Sequence, residues 1–411
     1  MRDGTQAGAP SEQQVAALVD MLAADPDRRH ELTDLLREDH AFYDQRSTTA
    51  ISRMRGWILL ALARTALPET ALVFVLEELS TGVDVYLVAA AARALRSHPA
   101  PAASFAPFVM RALTNVRNRD EPVSLDSYGD YAVRDTGTSA VRELLATLAW
   151  LGPRARDVLP EVEALRAHRG GLFSRTLRLD VDRAVVAIRA ADLADTPAPD
   201  ACCGVPASIG MSSWMRDSRH DSETVDRTVF EDHAGASVTF PEFFRGHASI
   251  VVFFYTRCGN PLKCSLTITK LARVQNLLAT RGLDDRVYTA AITYDPGFDL
   301  PERLRRYSQD RGMRLDARHR MLRTTDGLEP LRRHFNLGVN FIESLVNRHR
   351  IEAYILDAEG RVARSFERIS WDEQQLVDHA VQVMNEDRND ATVTNAPKSV
   401  CCHRAVSNTG G

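Results

Sequence analysis

The hydrophobic pattern changes character near the middle of the chain. Over residues 11–193, apolar residues recur three and four positions apart, which predicts a succession of amphipathic helices. Over residues 225–387, continuous apolar runs at 248–256 and 287–295 are each followed by a segment with helical spacing. Such runs are typical of strands that are buried on both faces, so this half of the chain is predicted to be an α/β unit.

The helical half has a repeating organisation. Its alanine-rich segments begin near residues 57, 86, 140 and 181, at intervals of 29, 54 and 41 residues, and leucine-rich or proline-led segments lie between them. The pattern resembles HEAT-type repeats, whose usual period is about 40 residues, with a polar insertion at 115–138. The resemblance implies a scaffold that binds a protein partner through an extended face. A non-repetitive helical bundle is the alternative.

The two remaining stretches are polar. Residues 194–224 and residues 388–411 carry no apolar periodicity, and they are predicted to be a flexible linker and a flexible tail. The predicted fold class is therefore a HEAT-like α-helical repeat domain at 11–193 followed by an α/β domain at 225–387. In the second domain, the order strand, cysteine loop, helix, strand, helix, hairpin and helix is that of a thioredoxin-like fold.

Composition and charge narrow the possible functions. The chain has 51 Lys and Arg residues against 55 Asp and Glu residues, so no basic excess indicates a nucleic-acid partner. No segment approaches the roughly 18 consecutive apolar residues of a membrane helix, and the first residues lack the layout of a secretory signal. We therefore expect a cytoplasmic protein without membrane insertion. In that compartment cysteines stay reduced, and they more often bind metal or take part in redox chemistry.

Two cysteines stand where thioredoxin-like folds carry their chemistry. Cys258 and Cys264 follow the apolar run at 248–256 and precede the helix predicted at 266–280. A thiol near the N-terminus of a helix has a lowered pKa, and its thiolate is both the nucleophile of disulfide exchange and a metal ligand. The pair could therefore close into a disulfide or chelate one ion.

The residues around this loop resemble the Sco/SenC family of thioredoxin-fold copper proteins over about residues 225–387. The similarity is carried by Phe-Tyr-Thr-Arg-Cys at 254–258, Ile-Thr-Tyr-Asp-Pro at 292–296, Asp-Leu-Pro-Glu at 299–302, and a histidine shortly before Tyr-Ile-Leu-Asp-Ala-Glu-Gly at 354–360. The resemblance implies a copper site formed by Cys258, Cys264 and His349. It also implies copper delivery to cytochrome oxidase or, as in some members, thiol–disulfide exchange.

Two features depart from the family pattern. Residues 259–263 place five residues between the cysteines, whereas the family usually has three, and the membrane anchor and export signal usual in the family are not seen. The donor set itself favours copper, because two thiolates and one imidazole suit Cu(I), whereas Zn²⁺ prefers a fourth ligand. His349 stands between Arg348 and Arg350, so the alternative for this residue is a solvated position at the end of a strand.

The leading hypothesis is a copper-binding protein of carrier or metallochaperone type, which is not an enzyme and which docks a protein partner through its helical domain. The alternative is a thiol–disulfide oxidoreductase or a peroxide-reducing protein, with Cys258 as nucleophile and Cys264 as resolving thiol. A third possibility is a degenerate binding module.

A second set of potential ligands lies in the linker and the tail. It comprises Cys202, Cys203, Cys401, Cys402 and His403. These residues could form a second soft-metal site for Zn²⁺ or Cu(I), pass electrons to the central cysteine pair, or have no role. His319 and His334 carry no pattern, and both are expected at the surface.

Overall fold

The computed structural model describes residues 10–119, 121–128, 137–167, 175–190, 215–220, 224–368 and 371–394. Within these ranges the N-terminal half is helical, and the C-terminal half combines a mixed β-sheet with helices on both faces. None of the described helices is both long and apolar enough to span a bilayer. The linker cysteines, the tail cysteines and His403 lie outside the described residues.

The helical region, residues 10–190, consists mainly of nine described helices. They are α1 (Glu12–Ala24), α2 (Glu31–Asp34), α3 (Thr48–Thr65), α4 (Glu69–Thr81), α5 (Val85–Arg96), α6 (Ala106–Val116), α7 (Ala140–Leu151), α8 (Leu159–Ala167) and α9 (Arg175–Arg189). Two strands of two residues each, β1 (Pro122–Val123) and β2 (Thr138–Ser139), pair at the predicted polar insertion. The helical character is as predicted, and the assignment to HEAT-type repeats stays a prediction.

The long helices of this region lie in two layers. Helices α3, α5, α7 and α9 pack side by side, and α4 and α6 pack together behind them. Helix α5 has a neighbour on each side, which explains why its alanines at 89–92 are all fully buried. Helices α3 and α5 approach closely at Gly56, where an added Cβ would lie 2.3 Å from Cε1 of Tyr86. The alanine-rich pattern of the sequence therefore reflects tight helix–helix packing.

Local sequence signals fix where these helices begin. Ser47, Asp84 and Ser139 precede α3, α5 and α7, and the side chain of each accepts a hydrogen bond from the backbone N–H three residues further on. Such N-caps satisfy backbone donors that have no partner within the helix. The starts of these three helices are thus encoded locally.

The α/β region, residues 215–394, is built on an eight-stranded sheet with the order β3-β12-β11-β6-β7-β8-β4-β5. The strands are β3 (Met215–His220), β4 (Val229–Asp232), β5 (Ser237–Thr239), β6 (Ala248–Phe254), β7 (Val287–Thr293), β8 (His319–Thr324), β9 (Val339–Ile342), β10 (Leu345–His349), β11 (Glu352–Leu356) and β12 (Val362–Glu367). Strands β6, β7 and β8 are parallel, and the other pairs are antiparallel. Strands β9 and β10 form a separate antiparallel pair.

Helices cover both faces of this sheet. They are α10 (Phe240–Phe244), α11 (Leu266–Thr280), α12 (Pro301–Gln309), α13 (Glu329–Phe335) and α14 (Glu373–Thr394). Helices α11 and α14 pack together against β6 on one face, while Phe243, Phe244 and Phe335 from α10 and α13 fill the core of the other. All seven residues of β6 are buried, as the continuous apolar run predicts. The predicted thioredoxin-like α/β fold is present.

Four strands of this region are not predicted from the sequence, and one of them, β3, lies within the predicted linker 194–224. Strand β8 is central, although it carries polar residues, and β9 and β10 are short. The expected surface positions of His319 and His334 are wrong, because both side chains are buried. His319 Nδ1 lies 2.8 Å from the hydroxyl of Thr289, and His334 Nε2 lies 3.1 Å from the carbonyl of Gly360. Each ring is thus buried with a hydrogen-bond partner, which single-residue patterns do not reveal.

Candidate metal centre

The cysteine loop begins at the carboxyl end of β6. The backbone N–H of Thr256 donates a hydrogen bond of 3.0 Å to the carboxylate of Asp299, and this contact fixes the start of the loop. Further on, the side chain of Asn260 accepts a hydrogen bond of 3.0 Å from the backbone of Leu262. Residues Pro261–Ser265 then form a single π-helical turn that leads into α11 and carries Cys264. The long spacing between the cysteines is therefore taken up by this turn.

The candidate imidazole comes from a different element. His349 ends β10, which pairs with β9 beside the main sheet, and its side chain is 6% exposed. Its Nδ1 lies 2.9 Å from the carbonyl oxygen of Arg350, which can only accept a hydrogen bond. Nδ1 therefore carries the proton, and the lone pair of Nε2 in the neutral ring is free to bind a ligand. The alternative of a solvated strand end does not apply to this histidine.

The three side chains meet at one point. Nε2 of His349 lies 3.6 Å from Sγ of Cys258 and 3.6 Å from Sγ of Cys264, and all three donor atoms lie within 4.8 Å of one another. With metal–sulfur and metal–nitrogen bonds of about 2.3 and 2.0 Å, one ion would hold sulfur and nitrogen about 3.5–3.7 Å apart. The observed separations fit such an ion. Within the described part of the chain, this cluster contains no fourth Cys, His, Asp or Glu donor.

The two thiols are electrostatically unequal. The pKa of Cys258 is lowered far below its ordinary value, chiefly because the thiol of Cys264 donates a hydrogen bond to its thiolate, which outweighs the opposing effect of burial. Burial raises the pKa of Cys264, which is 1% exposed. Cys258 is partly exposed, and the opposite pKa shifts favour it over Cys264 as the thiolate of the pair. The hydrogen bond from the second cysteine thus contributes to the activation of Cys258 that the sequence predicts.

The helical region contacts both segments that carry these donors. In the cysteine loop, Asn260 donates a hydrogen bond of 2.7 Å to the carbonyl of Thr81, and Nζ of Lys263 lies 3.0 Å from the carboxylate of Glu77. Lys263 also donates to the carbonyl oxygen of His349, at 2.9 Å. Beside that histidine, Arg348 forms an ion pair with a second acidic residue of α4. The helical region therefore forms one wall of the centre.

These contacts belong to a buried ion-pair network between the two regions. Arg368 lies 2.7 Å from Glu38 and 3.1 Å from Glu77, and Arg348 pairs with Glu78. The carboxylates of Glu38, Glu77 and Glu78 belong to the helical region, whereas the facing cations, those of Arg348, Arg368 and Lys263, belong to the α/β region. The nearby arginines hold the pKa values of Glu38 and Glu78 below their ordinary range despite burial. Charge complementarity thus joins the regions.

Sequence reasoning misses this network. The signal that could indicate it is the adjacent pair Glu77 and Glu78 in the otherwise apolar segment 71–79. Adjacent residues of a helix lie about 100° apart, so two acids within a largely apolar surface indicate at least one buried carboxylate that needs a cation. The sequence does not indicate which cations those are, because Arg55 lies on another helix and the partners from the α/β region lie about 190–290 residues away.

A cavity of about 340 Å³ lies between the two regions at this centre. Cys258 and His349 line it from the α/β side, and Ser52, Val83 and Asp84 line it from the helical side. Cys264 is not among the lining residues. The partly exposed thiolate is thus the donor that faces the cavity, while the second thiol lies behind it.

The fold and the site together define a thioredoxin-like α/β region that carries a centre of two cysteines and one histidine. Residues 216–385 match the family model described as SCO1/SenC, so this region is of the SCO1/SenC type. The prediction of that family from the sequence is confirmed for this part of the chain. The match leaves the helical region unassigned.

The chain was also compared with curated proteins and with solved structures. No curated protein matches the chain. Among solved structures, a SCO1/SenC family lipoprotein from Bacillus anthracis is 22% identical, with a TM-score of 0.34 over 40% of this chain and 95% of that one. Yeast Sco1 is 24% identical, with a TM-score of 0.32 over 40% and 97%. Arabidopsis thaliana ScoI with copper bound is 19% identical, with a TM-score of 0.33 over 39% and 99%.

Proposed function

We propose that this protein binds Cu(I) through Cys258, Cys264 and His349 and acts as a copper carrier. The observation that supports the proposal most directly is the separation of 3.6 Å between Nε2 of His349 and each sulfur. Soft thiolates select Cu(I). Zn²⁺ would call for a fourth ligand, and the cluster holds three donors within the described residues.

A Cu(I) titration of the reduced protein against a competing chelator tests this proposal. Cys258→Ser and His349→Ala should each lower the affinity by about a hundredfold or more, because loss of an outer-shell partner already costs about 10–100-fold. His379→Ala is the matched control, since this histidine lies on α14 and contacts Gln382. Wild-type affinity in both ligand variants would contradict the proposal and would move the metal to Cys202, Cys203, Cys401, Cys402 and His403.

A second candidate function is thiol–disulfide exchange, and the unequal thiols favour it. The Cys258 thiolate would attack a substrate disulfide and release one substrate thiol, and Cys264 would then resolve the mixed disulfide as the pair is oxidised. Peroxide reduction would use the same two roles. Copper binding needs His349, whereas exchange does not. A His349→Ala variant that loses copper and keeps reductase activity would establish that both chemistries occur.

The domain organisation is part of the proposal. The sequence predicts a helical-repeat domain at 11–193, a linker at 194–224, a thioredoxin-like domain at 225–387 and a tail at 388–411. We infer the same order of units with a longer thioredoxin-like domain, because β3 (Met215–His220) pairs within its sheet and α14 ends at Thr394. Docking of a protein partner on the helical domain stays a prediction. One face of the helical region contacts the cysteine loop. These contacts support a role for that face in holding the loop in place and limiting access to the centre.

A further inference from the structure

We propose that copper enters and leaves this centre through the cavity between the two regions as the complex of a low-molecular-weight hydrophilic thiol, rather than by contact with the face of a folded protein. This inference rests on the proposed Cu(I) site. It names the chemical class of the molecule that exchanges copper with it.

The first support is the way in which the helical region holds the centre. It contacts the cysteine loop at Asn260 and Lys263, and it contacts the histidine strand at Arg348. Both ligand-bearing segments are therefore covered from the same side. A folded copper donor would have to take the place of the helical region to reach the sulfurs.

The second support is the burial of those contacts. Glu77 and Glu78 have side chains that are at most 4% exposed, and the facing side chains of Lys263, Arg348 and Arg368 are at most 12% exposed. A competing protein surface that covered these residues without matching charges would leave most of them buried and unpaired, which is strongly unfavourable, although Glu78 would keep Arg55. The helical region is therefore not easily displaced by a competing protein surface.

The third support is the cavity that remains. Its volume of about 340 Å³ falls within the range of about 300–1,000 Å³ that is usual for small-molecule sites. Polar side chains, including those of Thr48, Ser52 and Asp84, line it together with Cys258. The space suits a short hydrophilic molecule, and the thiolate that faces it is the donor able to receive an ion.

The chemistry of the exchange requires no oxidant or reductant. For a Cu(I) ion held by two small thiolates, the Cys258 thiolate would form a bond to copper as the first small thiolate leaves. Cys264 would then bind as its thiolate, the second copper–thiolate bond would break, and the proton of Cys264 would pass to that leaving thiolate. Nε2 of His349 would bind through its lone pair as the third ligand. Copper stays Cu(I) throughout, and the reverse sequence of steps releases it.

A variant at the cavity wall tests this route. Val83 lines the cavity and is 37% exposed, so Val83→Trp should place an indole in it at little cost to the core. We expect copper transfer from Cu(I)–glutathione to slow about tenfold or more, with the equilibrium affinity changed less than about twofold. Val186→Trp, at a position on α9 that is 70% exposed, is the control and should transfer copper at the wild-type rate. Equal rates in the two variants would overturn the proposal.

The wild-type protein gives an independent measurement. At equal free Cu(I), transfer from glutathione should be faster than transfer from a folded copper-carrier domain, and a faster folded donor would overturn the proposal even if Val83→Trp fails to fold. The proposed function and this inference can be overturned independently. Absence of tight Cu(I) binding would overturn the proposed function, whereas tight binding with exchange rates independent of the cavity would overturn this inference alone.

Discussion

The helical region and the α/β region contribute different things to the candidate metal centre. All three donors, Cys258, Cys264 and His349, belong to the α/β region. The helical region supplies no donor to that cluster, and it supplies instead the carboxylates that pair with the segments carrying the donors. The chemistry of the centre therefore comes with the thioredoxin-like fold, while access to it and the position of its loop depend on the other half of the chain.

The largest expected loss of stability comes from removing a charge at the interface between the two regions. Arg368→Ala should lower the free energy of unfolding by about 3 kcal/mol, because it removes one of the cations that face the buried carboxylates of Glu38 and Glu77 and leaves them Arg55 and Lys263, respectively. The substitution also removes the guanidinium that lies 3.8 Å from the ring centroid of Phe74. Denaturant unfolding, followed by circular dichroism, measures the loss.

Arg189→Ala is the control for this prediction. Arg189 forms an ion pair with Glu163 within the helical region, and both side chains are largely exposed. Surface pairs contribute about 0–1 kcal/mol, so this variant should unfold almost as the wild type does. If both variants lose a similar amount of free energy of unfolding, the buried ion pairs between the regions stabilise the protein no more than an exposed pair does.

The next prediction concerns the α/β region and the pH dependence of alkylation at Cys258. An ordinary thiol with a pKa of about 8.5 is protonated as the pH falls below that value. The pKa of Cys258 is lowered by the hydrogen bond from Cys264, so the thiolate should persist at mildly acidic pH, where alkylation of ordinary thiols slows about tenfold for each pH unit. Mass spectrometry of Cys258 after timed iodoacetamide labelling measures the profile.

The control for the pH profile is Cys264→Ser. A serine hydroxyl is a poor acid, but it still donates a hydrogen bond, so the pKa of Cys258 should rise only in part. Cys264→Ala removes the donor, and the profile should then move further toward that of an ordinary thiol. If Cys264→Ala leaves the profile unchanged, the second cysteine is not the cause of the low pKa.

How far the sequence predicts this molecule depends on the range of the interactions. Strand β6, helix α11 and the hairpin of β11 and β12 are predictable because their apolar runs, periods and turn residues are local. The grouping of Cys258, Cys264 and His349 is implied by resemblance to a family. Strand β8 is not predictable in this way, because its polar residues are satisfied by neighbours such as Thr289 that are distant in the chain.

The interface between the helical region and the α/β region is the part of the molecule that is least predictable from the sequence. Lys263 looks like an ordinary loop lysine, and Arg348 looks like a solvated residue beside a histidine. Their burial depends on carboxylates that are about 190 and 270 residues away along the chain. Neither periodicity nor a local motif carries that information, since a charged residue is usually exposed unless it is paired.

The smallest expected effect concerns the neutral hydrogen bond between Asn260 in the cysteine loop and Thr81 in the helical region. Asn260→Ala removes the hydrogen bond to the carbonyl of Thr81 and the cap of the turn at Leu262, while it leaves the ion pairs intact. We expect a loss of about 1–2 kcal/mol in the free energy of unfolding. Asn260→Asp is the informative partner, because its carboxylate keeps the cap but cannot donate to Thr81. If the aspartate variant is as stable as the wild type, the cap holds the loop. If it is as unstable as the alanine variant, the loop depends on the helical region for its position.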